Sequence, residues 1–282
     1  MSQEALDIPG LLRRHGLRPN KRLGQNFLVD PVHLRRVVSV AGVQPEDAVL
    51  EVGAGLGSLT RLLAEAARKV VGVELDQRLI PALQEVLAPY PNVEVVQGDI
   101  LTLHPQVWLS RLETDQERGF VVVANIPYYI TSALIRHLLE SEPQPKRLTL
   151  TLQKEVAERI CAEPGDLSLL ALSVQVYGQP TIEAHIPAGA FYPVPKVDSS
   201  VVLIQLFDSP RIPQDLLPDF FQLAKAGFSQ KRKTLRNALS GGMHWPASEA
   251  EDRLQAAGID PMRRAETLSL EEWGQLTHQA TD

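Results

Sequence analysis

Four short apolar runs, at residues 48–52 (AVLEV), 69–75 (KVVGVEL), 93–96 (VEVV) and 120–125 (FVVVAN), limit what this chain can fold into. They are dense in β-branched residues and barely alternate, the pattern of strands covered on both faces. Helical patterns lie between them at 58–67 and 77–87, and a further one follows at 130–139. Strands joined through helices run parallel, because a crossover is needed to return the chain to the same end of the sheet. The expected fold class is therefore α/β, a doubly wound, Rossmann-like sheet. Further strands are expected at 147–153 and 200–207.

The pattern changes after residue 207. Residues 208–218 (DSPRIPQDLLP) hold three prolines and read as a linker. Beyond it only helical patterns occur, at 219–226, 231–239, 248–257 and 270–278, with Gly241, Gly242, Gly258 and Pro261 as breakers. Two domains are expected, a sheet domain over 1–209 with a basic N-terminal arm and a small all-helical domain over 210–282.

Charge is distributed unevenly. The net value is -6. Yet Arg13, Arg14, Arg18, Lys21, Arg22, Arg35 and Arg36 face one acid, Asp30, within residues 11–36. Lys225, Lys231, Arg232, Lys233 and Arg236 face none within 225–236. Two basic stretches on an acidic body suit either a polyanion or solvated faces. One cysteine, Cys161, excludes an internal disulfide and a thiolate zinc module. No apolar run approaches the roughly 18 residues that a membrane helix needs, and the N-terminus lacks a secretory core, so a cytoplasmic protein is expected. The seven histidines show no ligand spacing, and no metal is expected.

Chemistry concentrates at the ends of the strands. Residues 51–58 (EVGAGLGS) follow the first strand and open a helix, where glycines permit a tight turn and close approach of a ligand. The glycine spacing differs from the dinucleotide fingerprint. Glu51 at the strand end favours a cationic ligand over a pyrophosphate, and S-adenosylmethionine carries both a sulfonium and an ammonium. Glu74 ends the second strand where a ribose-binding acid is expected. Asp99 follows the third and suits an adenine amine, with Leu75 and Ile100 lining the ring. A turn or a helix cap is the plainer reading of any one of these acids.

The fourth strand ends in Asn125-Ile126-Pro127-Tyr128. An amino nitrogen conjugated into a base ring is a poor nucleophile. It attacks a methyl group only when acceptors draw its hydrogens out of the ring plane. The Asn125 oxygen and a backbone carbonyl presented by Pro127 have that capacity, and Tyr128 suits stacking on an extruded base. A strand-ending turn is the alternative use of Asn and Pro.

With these motifs stand residues 21–30 (KRLGQNFLVD), 152–157 (LQKEVA), 191–199 (FYPVPKVDS) and 228–239 (FSQKRKTLRNAL). Together they resemble the ribosomal small-subunit RNA adenine N6,N6-dimethyltransferases over nearly the whole chain. The resemblance implies S-adenosyl-L-methionine as cofactor, held by Asn26, Leu28, Glu51, Gly53, Gly55, Glu74, Leu75, Asp99, Ile100 and Asn125. It implies catalysis through Asn125, Pro127, Tyr128 and Phe191, with Phe191 opposite Tyr128 across the base. RNA contacts are expected from Arg22, Lys196, Lys231, Arg232, Lys233 and Arg236. The implied partner is small-subunit ribosomal RNA or a pre-ribosomal particle, engaged by a monomer. Leu169 and Leu170 stand where the family carries a Tyr-Gly pair, which puts in doubt a substrate contact from 166–171. The rival readings are a large-subunit RNA adenine methylase of the macrolide-resistance type and an assembly factor whose binding matters more than its catalysis.

Overall fold

The computed structural model describes residues 6–114 and 119–281. The chain divides into two compact units. The first comprises the chain up to Ala157 with Thr181–Leu206, and the second Glu158–Pro180 with Phe207 onward.

In chain order the elements are α1 (Ile8–Arg14), β1 (Phe27–Leu28), α2 (Pro31–Ala41), β2 (Ala48–Val52), α3 (Thr60–Ala66), β3 (Lys69–Glu74), α4 (Ile80–Leu87), β4 (Val93–Gln97), α5 (Gln106–Leu112), β5 (Val121–Asn125), α6 (Thr131–Leu139), β6 (Arg147–Gln153), α7 (Lys154–Ile160), α8 (Leu169–Gln175), β7 (Gly178–Ile186), β8 (Phe191–Tyr192), β9 (Ser199–Leu206), α9 (Leu217–Phe228), α10 (Leu235–Met243), α11 (Ala247–Ala256) and α12 (Leu270–Thr281). The seven-stranded sheet runs β4-β3-β2-β5-β6-β9-β7. Its first five strands are parallel. β9 returns antiparallel to β6, with Leu150 opposite Val202.

All residues of β2 and β3 are buried, which accounts for their mainly apolar character, whereas the edge strand β4 is only half-buried. β3 and β4 lie to one side of β2, and β5 and β6 to the other. The order therefore reverses between β2 and β5, and ligands of open α/β sheets bind at the carboxyl ends of strands at such a switch point. The glycine loop leaves β2 and the Asn125 motif leaves β5 at that place.

The N-terminal arm is an ordered part of this unit. Asp7 caps α1, and Ile8, Leu11 and Leu12 pack with Phe27, Leu56 and Leu79. The Asp30 carboxylate accepts the Val32 and His33 N–H groups and starts α2, with Pro31 in its first turn. β1 and β8 form a separate antiparallel ribbon, with Phe27 opposite Tyr192 and Leu28 opposite Phe191.

The second unit is helical. Phe220, Leu223, Leu235, Leu239, Leu254, Trp273 and Leu276 form its buried interior. Several expectations change here. Residues 158–180 belong with the C-terminal helices, so the units do not separate at a single point near residue 209. The expected linker is largely structured, since the Arg211 N–H donates to the Val176 carbonyl, Ile212 is buried and α9 begins at Leu217. Gly241 and Gly242 do not break a helix. Both lie within α10, and a Cβ on Gly242 would stand 2.5 Å from the Ala226 Cβ, so glycine there lets α9 and α10 approach closely. Leu169 and Leu170 open α8, which Ser168 caps by accepting the Ala171 N–H.

Candidate active site

Leaving β2, the chain turns sharply to reach α3, and Gly53, Gly55 and Gly57 take left-handed φ values of 80°, 58° and 85°. Gly55 also lies under the Phe27 ring, which an added Cβ would approach to 3.2 Å. Glu74 holds this loop. Its Oε2 accepts the Gly55 N–H at 2.8 Å and its Oε1 the Asp76 N–H at 2.7 Å. Burial raises the Glu74 pKa, and these hydrogen bonds oppose the rise. At the end of β4, Asp99 Oδ1 accepts the Leu101 N–H at 3.0 Å. Among the described residues no hydrogen bond reaches its Oδ2.

The Asn125 amide is oriented from the N-terminal arm. Its Nδ2 donates to the Asn26 carbonyl at 3.2 Å, while the Asn26 side chain donates to the Gly24 carbonyl. Oδ1 is thereby left as an acceptor. The Pro127 carbonyl accepts the Ile130 N–H, and no described hydrogen bond reaches the neighbouring Ile126 carbonyl. Ile126 and Pro127 both line the cavity beside Asn125, and Pro127 shapes the turn at φ -59°. The Tyr128 hydroxyl shares a hydrogen bond of 2.9 Å with Ser199 Oγ, and burial raises its pKa.

One cavity collects these groups. Asn26, Gly53, Gly55, Glu74, Leu75, Asp99, Ile100 and Asn125 line it, together with Pro127, Tyr128 and Phe191. The fit to S-adenosyl-L-methionine rests on three features. Asp99 offers an unfilled acceptor, Leu75 and Ile100 offer apolar walls, and Gly53 leaves room where a Cβ would stand 3.6 Å from the Asn125 carbonyl oxygen.

Two expected cofactor residues do not line the cavity. The Leu28 side chain is buried in the core with Leu34, Val37 and Phe191, because β1 turns it away from the glycine loop. Glu51 lies inside the sheet at 1% exposure, opposite Gly72 and Val123, and among the described residues its Oε2 has no hydrogen-bond partner. Burial pushes its carboxyl up to about 8, opposed by the Thr60 hydroxyl and reinforced by the charge of Glu74. It is mostly neutral near pH 7, which departs from the anionic role expected of it.

The expected RNA contacts differ among themselves. Arg22 and Lys196 are exposed. So are Lys231, Arg232 and Lys233, but they occupy the turn before α10 and not a helix face shared with Arg236. Arg236 is engaged elsewhere, donating to Glu251 on α11 at 3.0 Å. Among the described residues no cluster of three or more His, Cys, Asp or Glu side chains is arranged to hold a metal.

Sequence reasoning missed a link at the cavity rim. Gln25 donates to Asp76 Oδ2 at 2.9 Å and accepts the Asn20 N–H at 2.7 Å, while Arg78 pairs with the same carboxylate. The run KRLGQNF contains Gln25, yet nothing in its local pattern signals a partner 51 residues away.

The profile of the family described as ribosomal RNA adenine dimethylase matches residues 16–282. Among curated relatives, the ribosomal RNA small subunit methyltransferase A of Dehalococcoides mccartyi (strain CBDB1) is 44% identical over 266 residues, which covers 94% of this chain and 90% of the relative. The protein of the same name from Alkaliphilus metalliredigens (strain QYMF) is 41% identical over 274 residues, or 95% and 94% of the two chains. Among solved structures, a dimethyladenosine transferase from Plasmodium falciparum superposes with a TM-score of 0.75 at 27% identity, covering 89% of this chain and 95% of that one. The 23S rRNA methyltransferase ErmE superposes with a TM-score of 0.71 at 30% identity, covering 91% and 100%. The chain is an S-adenosyl-L-methionine-dependent methyltransferase and belongs to the ribosomal RNA adenine dimethylase family.

Proposed function

We propose that the chain dimethylates N6 of two adjacent adenosines near the 3′ end of small-subunit ribosomal RNA, and that its partner is that RNA or the pre-ribosomal particle carrying it. It is read as acting in the cytoplasm as a monomer. Bound S-adenosyl-L-methionine supplies an electrophilic methyl group. Glu74 would accept from its ribose and Asp99 from its adenine amine, and Leu75 and Ile100 would flank the ring. The substrate adenine lies against Tyr128, with Phe191 on its other side. Asn125 Oδ1 and a backbone carbonyl of the Ile126-Pro127 turn would accept the two amine hydrogens and so localise the nitrogen lone pair. The cationic amine left by methyl transfer, with the thioether as leaving group, would lose its proton to solvent, so no strong base is required beside the nitrogen.

The observation that carries this reading is the Asn125 amide, turned by the Asn26 carbonyl so that its oxygen is free beside Tyr128 and Phe191. Small-subunit RNA methylated in vitro with labelled cofactor and examined by mass spectrometry tests it. Two neighbouring N6,N6-dimethyladenosines are expected. Label on large-subunit RNA alone would replace this reading with that of a large-subunit RNA adenine methylase, a reading to which the likeness to the 23S rRNA methyltransferase ErmE lends support.

A further inference from the structure

The segment between β8 and β9 holds a concentration of exposed apolar side chains. Tyr192, Val194 and Val197 are 38%, 65% and 45% exposed, and Lys196 between them is exposed as well. A flexible tail would give such exposure without meaning, but this segment is held at both ends. Phe191, at its start, is buried in the cavity wall, and the Tyr192 backbone pairs with Phe27, another wall residue. At its end the Asp198 carboxylate accepts the Ala188 N–H, the Asp198 carbonyl accepts the Lys154 N–H, and Ser199 bonds the Tyr128 hydroxyl. The segment therefore runs from one cavity-lining aromatic, Phe191, to Ser199, the partner of the other, Tyr128, so its ends flank the cavity rim. Directly opposed residues of an antiparallel pair lie about 5 Å apart on one face, so Tyr192 stands beside the cavity-lining Phe27.

We propose that this rim is the docking surface for the nucleotide next to the target adenosine, with Tyr192 stacking on its base, Val194 and Val197 covering the exposed edge, and Lys196 meeting its phosphate. The proposal rests on the functional reading above and deepens it. An adenine that enters a cavity leaves its stack, and the neighbour loses a stacking partner at a cost that makes extrusion unfavourable. An apolar, aromatic rim beside a cation replaces that partner, as inserted side chains do in proteins that unstack nucleic acid. Because the two adenosines are adjacent, the one not being methylated occupies the rim.

The test uses the full chain and a 3′-end fragment of small-subunit ribosomal RNA, with 2-aminopurine beside each adenosine in turn. Parent protein should quench the fluorophore through stacking on Tyr192, and Tyr192→Ala should leave it bright. RNA affinity of Tyr192→Ala should fall about 5- to 150-fold, the range for loss of one base–aromatic stack. Tyr192→Phe should restore both readouts, which loss of fold would not allow, and cofactor affinity should stay at the parent value. Val194→Ser, at an exposed position, should weaken RNA binding in the same direction. Parent-like quenching and affinity in Tyr192→Ala would overturn the proposal while leaving the methylation reading intact. Self-association of the free chain that Val194→Ser abolishes would also overturn it, assigning the rim to a second copy. A parent protein that methylates neither the fragment nor unmethylated small-subunit particles overturns the functional reading and this proposal with it.

Discussion

Asn125 Nδ2 donates to the Asn26 carbonyl across 99 residues of sequence, so the N-terminal arm fixes which face of the Asn125 amide meets the cavity. An amide free to rotate would present its NH2 group to the substrate amine half of the time and repel it. The arm is thus part of the site in the same sense as the strand ends.

Replacing Asn125 by Ala should reduce methyl transfer on the order of 10²- to 10³-fold, as loss of a positioned transition-state group does. Single-turnover rates at saturating cofactor measure this, with cofactor affinity followed in parallel because Asn125 also lines the cofactor cavity. A rate within a few-fold of the parent would remove Asn125 from the mechanism.

Glu51 makes the stability of the protein depend on pH. Its carboxyl, ordinarily near 4.5, is pushed up to about 8 by burial. Between those values the folded chain keeps a proton that the unfolded chain has released. Stability therefore falls as pH rises through this window and stays reduced above it, by an amount on the order of a few kcal/mol. Glu51→Gln removes the titrating group, so the melting temperature of the variant should gain on the parent from about pH 5 to pH 8. A difference that is flat with pH would contradict the buried, neutral carboxyl.

Gln25 ties the arm to the turn after β3. Arg78 holds the Asp76 pKa below its usual range, with Gln25 contributing, so Asp76 stays charged when Gln25 is removed. Gln25→Ala should then release residues 20–26 without disturbing the sheet. A hydrogen bond to a charged group contributes roughly 1.5 to 3 kcal/mol, equivalent to roughly 10- to 150-fold in local opening. Hydrogen exchange should quicken by that factor at Leu23 and Gly24 and stay unchanged in β2 and β3. Parent-like protection would show that other contacts hold the arm.

The legible parts of the sequence were those with local causes. Strands β2, β3 and β5 announce themselves because burial on both faces demands mainly apolar runs, and Glu74 and Asp99 at strand ends do line the cavity. The β1–β8 ribbon was not legible, since two-residue strands carry no periodicity and owe their pairing to the fold around them. Glu51 was placed correctly on its strand, but its depth depends on β3 and β5 flanking it, which spacing does not reveal. Gly242 misled for a related reason. A glycine that ends a helix and one that admits a neighbouring helix look alike until Ala226 is seen against it.

The same distinction governs the basic segment. Lys231, Arg232 and Lys233 form an exposed turn in which the Lys233 N–H donates to the Gln230 carbonyl, and no described ion pair involves them. Arg236 sits on α10, half-buried, and pairs with Glu251. Three cations held in one turn suit contacts to phosphates without base reading, and each such contact contributes roughly 0.7 to 0.9 to the slope of log affinity against log salt. Changing Lys231, Arg232 and Lys233 together to Ala should lower the magnitude of that slope by roughly 2, with the melting temperature unchanged. Arg236→Ala should do the reverse, changing the slope by less than one phosphate contact while lowering the melting temperature slightly, because a partly exposed ion pair contributes about 0 to 1 kcal/mol. Filter binding of small-subunit RNA across a salt series, with melting curves of each variant, separates the two roles. If the triple variant keeps the parent slope, the turn does not touch the RNA. If Arg236→Ala flattens the slope as far as the triple variant does, its pairing with Glu251 gives way on binding and the helix joins the RNA surface after all.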